Sequence, residues 1–138
     1  MVISKDERLD QLFSEIQIRA RNDDAGPPPY LFVGPKSDLK TLFGNEFYKT
    51  APGKSGVPDT AYENAVNGSY WAAAQTGDIM LDHVKARTMG DCNMPIWHEY
   101  QRLIVPGALA NGRPVFIAFT QHMRVFKEVA GTRQPHTD

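Results

Sequence analysis

The apolar residues of this chain change period several times, and each change marks an element. Leu9, Leu12, Phe13 and Ile16 recur at helical spacing behind Ser4-Lys5-Asp6-Glu7. In that capping box Ser4 accepts from a free amide and Glu7 reaches back, so an amphipathic helix is expected from about Lys5. The period then shortens to two. Ile16, Ile18 and Ala20 alternate with Gln17, Arg19 and Arg21, which predicts a half-exposed strand. Residues 22–26 carry turn chemistry, and Pro27-Pro28-Pro29 removes three amide donors. The next strand, Tyr30-Leu31-Phe32-Val33, should therefore start at a sheet edge. Residues 16–33 read as a first hairpin.

Ser37 is placed to cap a short helix through Leu42 and Phe43, with Gly44 as its stop. Residues 45–58 hold glycines and prolines without a sustained period and read as loop. One long helix is expected over residues 60–75. Thr60-Ala61-Tyr62-Glu63 forms its capping box and Gly77 its left-handed stop. Tyr62, Ala65, Val66, Ser69, Ala72 and Ala73 would make the stripe that meets the sheet. At about 1.5 Å per residue it would run roughly 24 Å. Residues 78–86 read as a strand. Residues 96–105 and 114–120 read as a final hairpin across a turn containing Asn111-Gly112, a pair suited to positive φ. The pattern after Thr120 alternates only loosely. The elements sum to an α+β domain with five strands, the helices falling between the second and third.

Length and composition keep this picture simple. A chain of 138 residues buries enough surface for one core without staples. The domain is assigned to residues 14–130, preceded by the helical segment 1–13 and followed by a polar tail at 131–138. A net charge of −1 favours neither nucleic acid nor an acidic membrane surface as partner. No run approaches the roughly 20 apolar residues that cross a bilayer. The single cysteine fits a reducing compartment, and the early charges do not suit a secretory leader. A cytoplasmic protein is expected.

Three stretches resemble a PAS domain, of the stand-alone bacterial sensor type. Tyr30-Leu31-Phe32-Val33-Gly34 with Leu42-Phe43-Gly44 is similar to that family's second strand and the Leu-x-Gly after it. Residues 62–71 with Gly77-Asp78 resemble its long helix and the turn into the third strand. Residues 100–106 with Asn111-Gly112-Arg113-Pro114-Val115 resemble its final hairpin. The resemblance spans roughly residues 14–126. It implies a five-stranded antiparallel sheet with helices over one face, often enclosing a small-molecule cavity. It also implies a sensory or protein-interaction role, commonly as a homodimer, rather than catalysis.

Within that frame, Tyr62, Val66, Tyr70, Trp97, Tyr100, Arg102 and Phe116 are the candidate pocket residues. Packing of the core accounts equally for most of these aromatics. Arg102, the charge inside the fourth strand, is expected to pair with Glu99 or Asp78 on a wet face, or else to present a cation to a ligand. Leu9, Leu12, Phe13 and Ile16 are the candidate surface for a regulatory protein partner or a second copy; packing on the chain's own sheet is the alternative. No cofactor is indicated. His83, His98, His122 and His136 are the obvious ligands, but haem held by a histidine of the long helix has no counterpart here. His83 and His98, on neighbouring strands, could approach each other as haem or metal ligands or else be surface or half-buried strand residues. Cys92 lacks the context of a flavin-adduct cysteine and reads as a passive loop thiol. No phosphate loop, nucleophile elbow or zinc-protease motif appears. A small-ligand enzyme or carrier on the same sheet remains the competing reading. It requires two or more of Asp78, His83, His98, Arg102 and His122 to point into one enclosed pocket, and the binding-module reading loses ground if they do.

Overall fold

A computed structural model describes residues 11, 13–21 and 26–127 of the chain. The expected capping box, the helical positions Leu9 and Leu12, turn residues 22–25 and the tail from 131 lie outside the described residues. The five expected strands are present: β1 (Gln17–Ala20), β2 (Tyr30–Val33), β3 (Met80–Met89), β4 (Pro95–Ala108) and β5 (Pro114–Lys127). They form one antiparallel sheet in the order β2-β1-β5-β4-β3. The proline run does lead into an edge strand. Outside β2, Tyr30 N–H donates to Lys54 O and Gly53 N–H to Tyr30 O, both at 2.8 Å.

The last two strands are longer than the alternation predicts. Residues 121–127 continue β5 and pair with β4, but a bulge places Tyr100 opposite His122 and Glu99 opposite Arg124. One extra residue reverses the in-out order, so the pattern there looks loose in sequence. In the turn of residues 109–113 Gly112 alone takes a positive φ, 85°. Asn111 instead accepts the Arg113 N–H through its side chain at 3.0 Å.

Three helical segments cover one face of the sheet. α1 (Asp38–Thr50) begins at Ser37, whose side chain accepts the Leu39 N–H. Gly44, the expected stop, is a kink at φ 90°, and helix resumes beyond it. Phe47 explains why: it continues the buried row begun by Leu42 and Phe43, so residues 45–50 are helix rather than loop. The expected long helix is two, α2 (Thr60–Val66) and α3 (Gly68–Thr76), broken at Asn67. Asp59, not Thr60, caps α2 by accepting the Tyr62 N–H at 3.0 Å. Glu63 does not reach back as a capping box requires; it points inward and is buried. The row facing the sheet is therefore Glu63, Asn67, Tyr70 and Ala73, and Ala65 is exposed. Gly77 ends α3 in the left-handed region, its N–H bonded to Ala73 O at 2.8 Å, as expected.

Alternation assigns the faces. Asp82, Val84, Ala86 and Thr88 on β3 share the helix side with Ile96, His98, Tyr100, Arg102 and Ile104 on β4, their cross-strand partners. On β5, Phe116, Ala118, Thr120 and His122 face the same way. The opposite face holds its own apolar cluster of Ile16, Ile18, Val115 and Ile117, with Phe13, Phe32 and Phe119 packed against it. Among the described residues no helix is long and apolar enough to cross a membrane.

Candidate ligand-binding site

β1 was expected to expose its polar side, yet all four of its residues are buried. Arg19 carries the reason. Its guanidinium pairs with Glu63 at 2.9 Å, donates to Pro28 O at 2.8 Å, and lies over the rings of Tyr30 and Tyr70. Burial opposes the cation, but Tyr30, Tyr70 and Glu63 outweigh it and hold Arg19 above its ordinary range. Glu63 also accepts the Val57 N–H at 3.1 Å. Its side chain lies against Gly56 at φ 122°, where a Cβ would meet Glu63 Cγ at 2.2 Å. This pair joins α2 to β1.

Arg102 forms the second pair. It is 5% exposed and sits on the helix-covered side, not on a wet face. Its partner is Asp82, directly opposite on β3, at 2.8 and 3.2 Å, rather than Glu99 or Asp78. It also donates to Val66 O at 2.6 Å, a carbonyl at the break between α2 and α3. Ser69 donates to the same Asp82 carboxylate. Burial would raise the Asp82 carboxyl, but the Arg102 and Ser69 hydrogen bonds prevail and lower it. Tyr70 lies between the two guanidiniums, facing both.

Between these pairs is a cavity of about 40 Å³. Its walls include the predicted residues Tyr62, Val66, Tyr70, Tyr100 and Arg102, together with Arg19, Glu63, His98 and His122. Two predicted residues do not join them. Trp97 projects to the opposite face, because β4 alternates and its neighbours Ile96 and His98 take the helix side. Phe116 is wholly buried with its ring against Tyr70 at 5.5 Å, part of the solid core rather than a cavity wall. Of the predicted partner surface, Ile16 is 2% exposed and Phe13 is edge-on to Phe32, so both pack on the chain's own sheet.

A chain of hydrogen bonds leads into the cavity. His122 Nδ1 meets Asp38 Oδ2 at 2.5 Å, and His122 Nε2 meets His98 Nδ1 at 3.1 Å. A carboxylate only accepts, so His122 Nδ1 carries a proton. Whichever of the two facing nitrogens donates, His98 Nε2 remains. It is buried and has no hydrogen-bond partner. Burial, and then the neighbouring His122, push the His98 pKa down to about 4. Beside it the Tyr62 and Tyr100 hydroxyls bond to each other. Burial drives both phenols up, Tyr100 to about 12, so neither is a ready base. Asp38, Thr120 and His122 also line a surface groove of about 530 Å³, and so stand between that groove and the inner cavity.

The cavity exceeds the roughly 10–15 Å³ that a single water needs. Pockets for drug-sized ligands run to about 300–1,000 Å³. Neither haem nor flavin fits it at this size. His83 and His98 do not approach each other: His83 pairs with Gln101 in the register, on the opposite face, and bonds Glu99 at 2.5 Å. Among the described residues no group of three or more His, Cys, Asp or Glu is arranged to hold a metal ion. Asp78 and Cys92 are exposed and line none of these cavities.

Sequence reasoning missed Arg19, Glu63 and Asp38. Arg19 followed the strand period as a solvent-facing residue, and Glu63 filled a capping-box position. Their pairing across 44 residues leaves no local trace. Compared with protein-family models, curated proteins and solved structures, the chain matches none.

Proposed function

We propose that this chain is a non-enzymatic, PAS-like sensory or regulatory module that signals by contact with a protein partner or a second copy. The supporting observation is the sheet order β2-β1-β5-β4-β3 with helices over one face and a cavity lined by His98, whose Nε2 is unpartnered. That atom suits a water, or the polar tip of a small molecule admitted by movement of the helices. The bonds from His98 to His122 and from His122 to Asp38 join β4, β5 and the start of α1. A guest that bonds to Nε2 fixes which nitrogen of His98 carries the proton, and so alters the bond to His122 and through it the hold on Asp38 at the start of α1, without chemistry. The single cysteine fits a cytoplasmic setting for this role.

One observation favours a small-ligand enzyme or carrier instead. His98, Arg102 and His122 do line one cavity. Against catalysis, both arginines are committed to carboxylates and the space holds no substrate beside the side chains. Native mass spectrometry of the purified full chain separates the readings. The sensory reading predicts a two-copy species or a retained small molecule, with His98→Phe abolishing the retained mass. A single-copy species with no added mass, before and after exposure to a small-molecule library, contradicts it.

A further inference from the structure

The two edge strands leave different lengths open. β2 has four residues, and residues 53 and 54 bond to Tyr30 at its start. β3 has ten, and only its end is covered. Asp59 reaches from the start of α2 and accepts the Met89 N–H at 2.8 Å and the Thr88 hydroxyl at 3.2 Å. The Met89 N–H therefore points away from β4. In an antiparallel ladder this direction alternates, and β3 pairs with β4 without a register shift. The backbone groups of Leu81, His83 and Lys85 then also point outward. Among the described residues no backbone partner meets them.

This edge borders a groove of about 690 Å³ between β3 and α2. Ala61, Ala65 and Gly68 form its helical wall and are exposed, so another backbone can lie close to them. From Leu81 to Arg87 the edge extends roughly 20 Å at about 3.3 Å per residue. Its exposed side chains on the open face are Leu81, His83, Lys85 and Arg87. Arg124 lies nearby, and among the described residues His83, Lys85 and Arg124 share the Glu99 carboxylate. The strip is cationic overall. A second copy pairing antiparallel about Lys85 would set cation against cation, which is destabilising. A partner that brings acidic residues meets no such opposition.

We propose that the β3 edge takes an extended acidic segment of another protein as a sixth strand. Alternate carboxylates lie beside His83 and Lys85, and the intervening small apolar residues lie over Ala61 and Ala65 in the groove. Asp59 already makes one such carboxylate-to-edge contact within the chain. Main-chain bonds supply affinity and the charge pattern supplies selection, as in other strand-addition sites. This assigns a surface and a partner class to the contact signalling proposed above, and rests on that reading.

The test is fluorescence polarisation with the full chain and a labelled ten-residue peptide of alternating Glu and Val. Controls are a peptide with the same residues in two blocks and one with Lys for Glu. Saturable binding is expected for the alternating peptide, at least about tenfold weaker for both controls and for Lys85→Glu. Lys85→Pro removes an outward N–H and should bind more weakly than Lys85→Ala, which keeps it. Ala65→Trp fills the groove without touching charge and should also weaken binding. Circular dichroism confirms that each variant is folded. Equal binding of the block peptide, no effect of Ala65→Trp, or no saturation below 1 mM overturns the proposal. Such a failure leaves the cavity reading standing, since native mass spectrometry tests that separately.

Discussion

The helix-covered face of the sheet buries Arg19, Glu63, His98 and Arg102, whereas the open face buries Ile16, Ile18, Val115 and Ile117. Both hide their residues from water, but by different physics. The open face gains by removing apolar area, at roughly 25 cal/mol per Å². The covered face must offset the cost of dehydrating ions, and does so with partners at hydrogen-bond distance. Buried ion pairs are a poor source of stability compared with apolar packing of the same volume. Their presence beside an unpartnered His98 nitrogen is what distinguishes the covered face from the apolar packing of the other.

Breaking one pair exposes this difference most strongly. Glu63→Leu leaves Arg19 buried without its carboxylate and should cost about 3–5 kcal/mol in urea unfolding. Adding Arg19→Met should restore much of the loss. A single-variant cost below about 1 kcal/mol would mean that the covered face tolerates charge as a surface does.

Acid should separate the faces next. His98 binds its proton at about 4 in the folded chain, against an ordinary 6.5. Between those values the unfolded chain holds more protons, so stability falls as pH drops, by at most about 1.4 kcal/mol per pH unit. Above 6.5 this contribution is flat. Asp59 and Asp82, both lowered from 3.8, add acid lability only below that value. His98→Gln should flatten the slope between pH 6.5 and 4 in a series of denaturant melts, and an unchanged slope would remove His98 as its origin.

The smallest effect is expected on the open face. Glu99 meets His83, Lys85 and Arg124, whose side chains are 48%, 53% and 54% exposed. Glu99→Ala should cost less than about 1 kcal/mol, and less still at high salt. A larger, salt-resistant loss would show that this strip is built like the covered face.

The strands were legible because apolar alternation and turn residues are local. β2 followed from the proline run, and the stop of α3 from Gly77. Tertiary contacts decided the rest. Phe47 drew helix past Gly44, and Asn67 broke a segment that propensity read as continuous. Tyr62, Tyr70 and Tyr100 were recognisable as cavity candidates because large aromatic side chains stood at strand and helix positions, whereas Arg102 was named a candidate although a wet face was expected for it. Trp97 was not separable from them, since a hairpin with two partly covered faces gives no clue to which side is which. Arg19 and Glu63 each fitted a local surface pattern. Only their mutual pairing makes burial tolerable, and no local window contains both.

The proposed site depends most on His98, which lines the cavity, being a buried, uncharged imidazole with an unpartnered Nε2. Nitrogen-15 NMR of the histidine side chains, followed from pH 8 to pH 3.5, measures this directly. The account predicts that His98 stays neutral through pH 6 and begins to protonate only near pH 4, while its shift at neutral pH moves when a cavity ligand binds. Titration of His98 near 6.5, with a shift insensitive to Tyr62→Phe in the cavity wall, would contradict it.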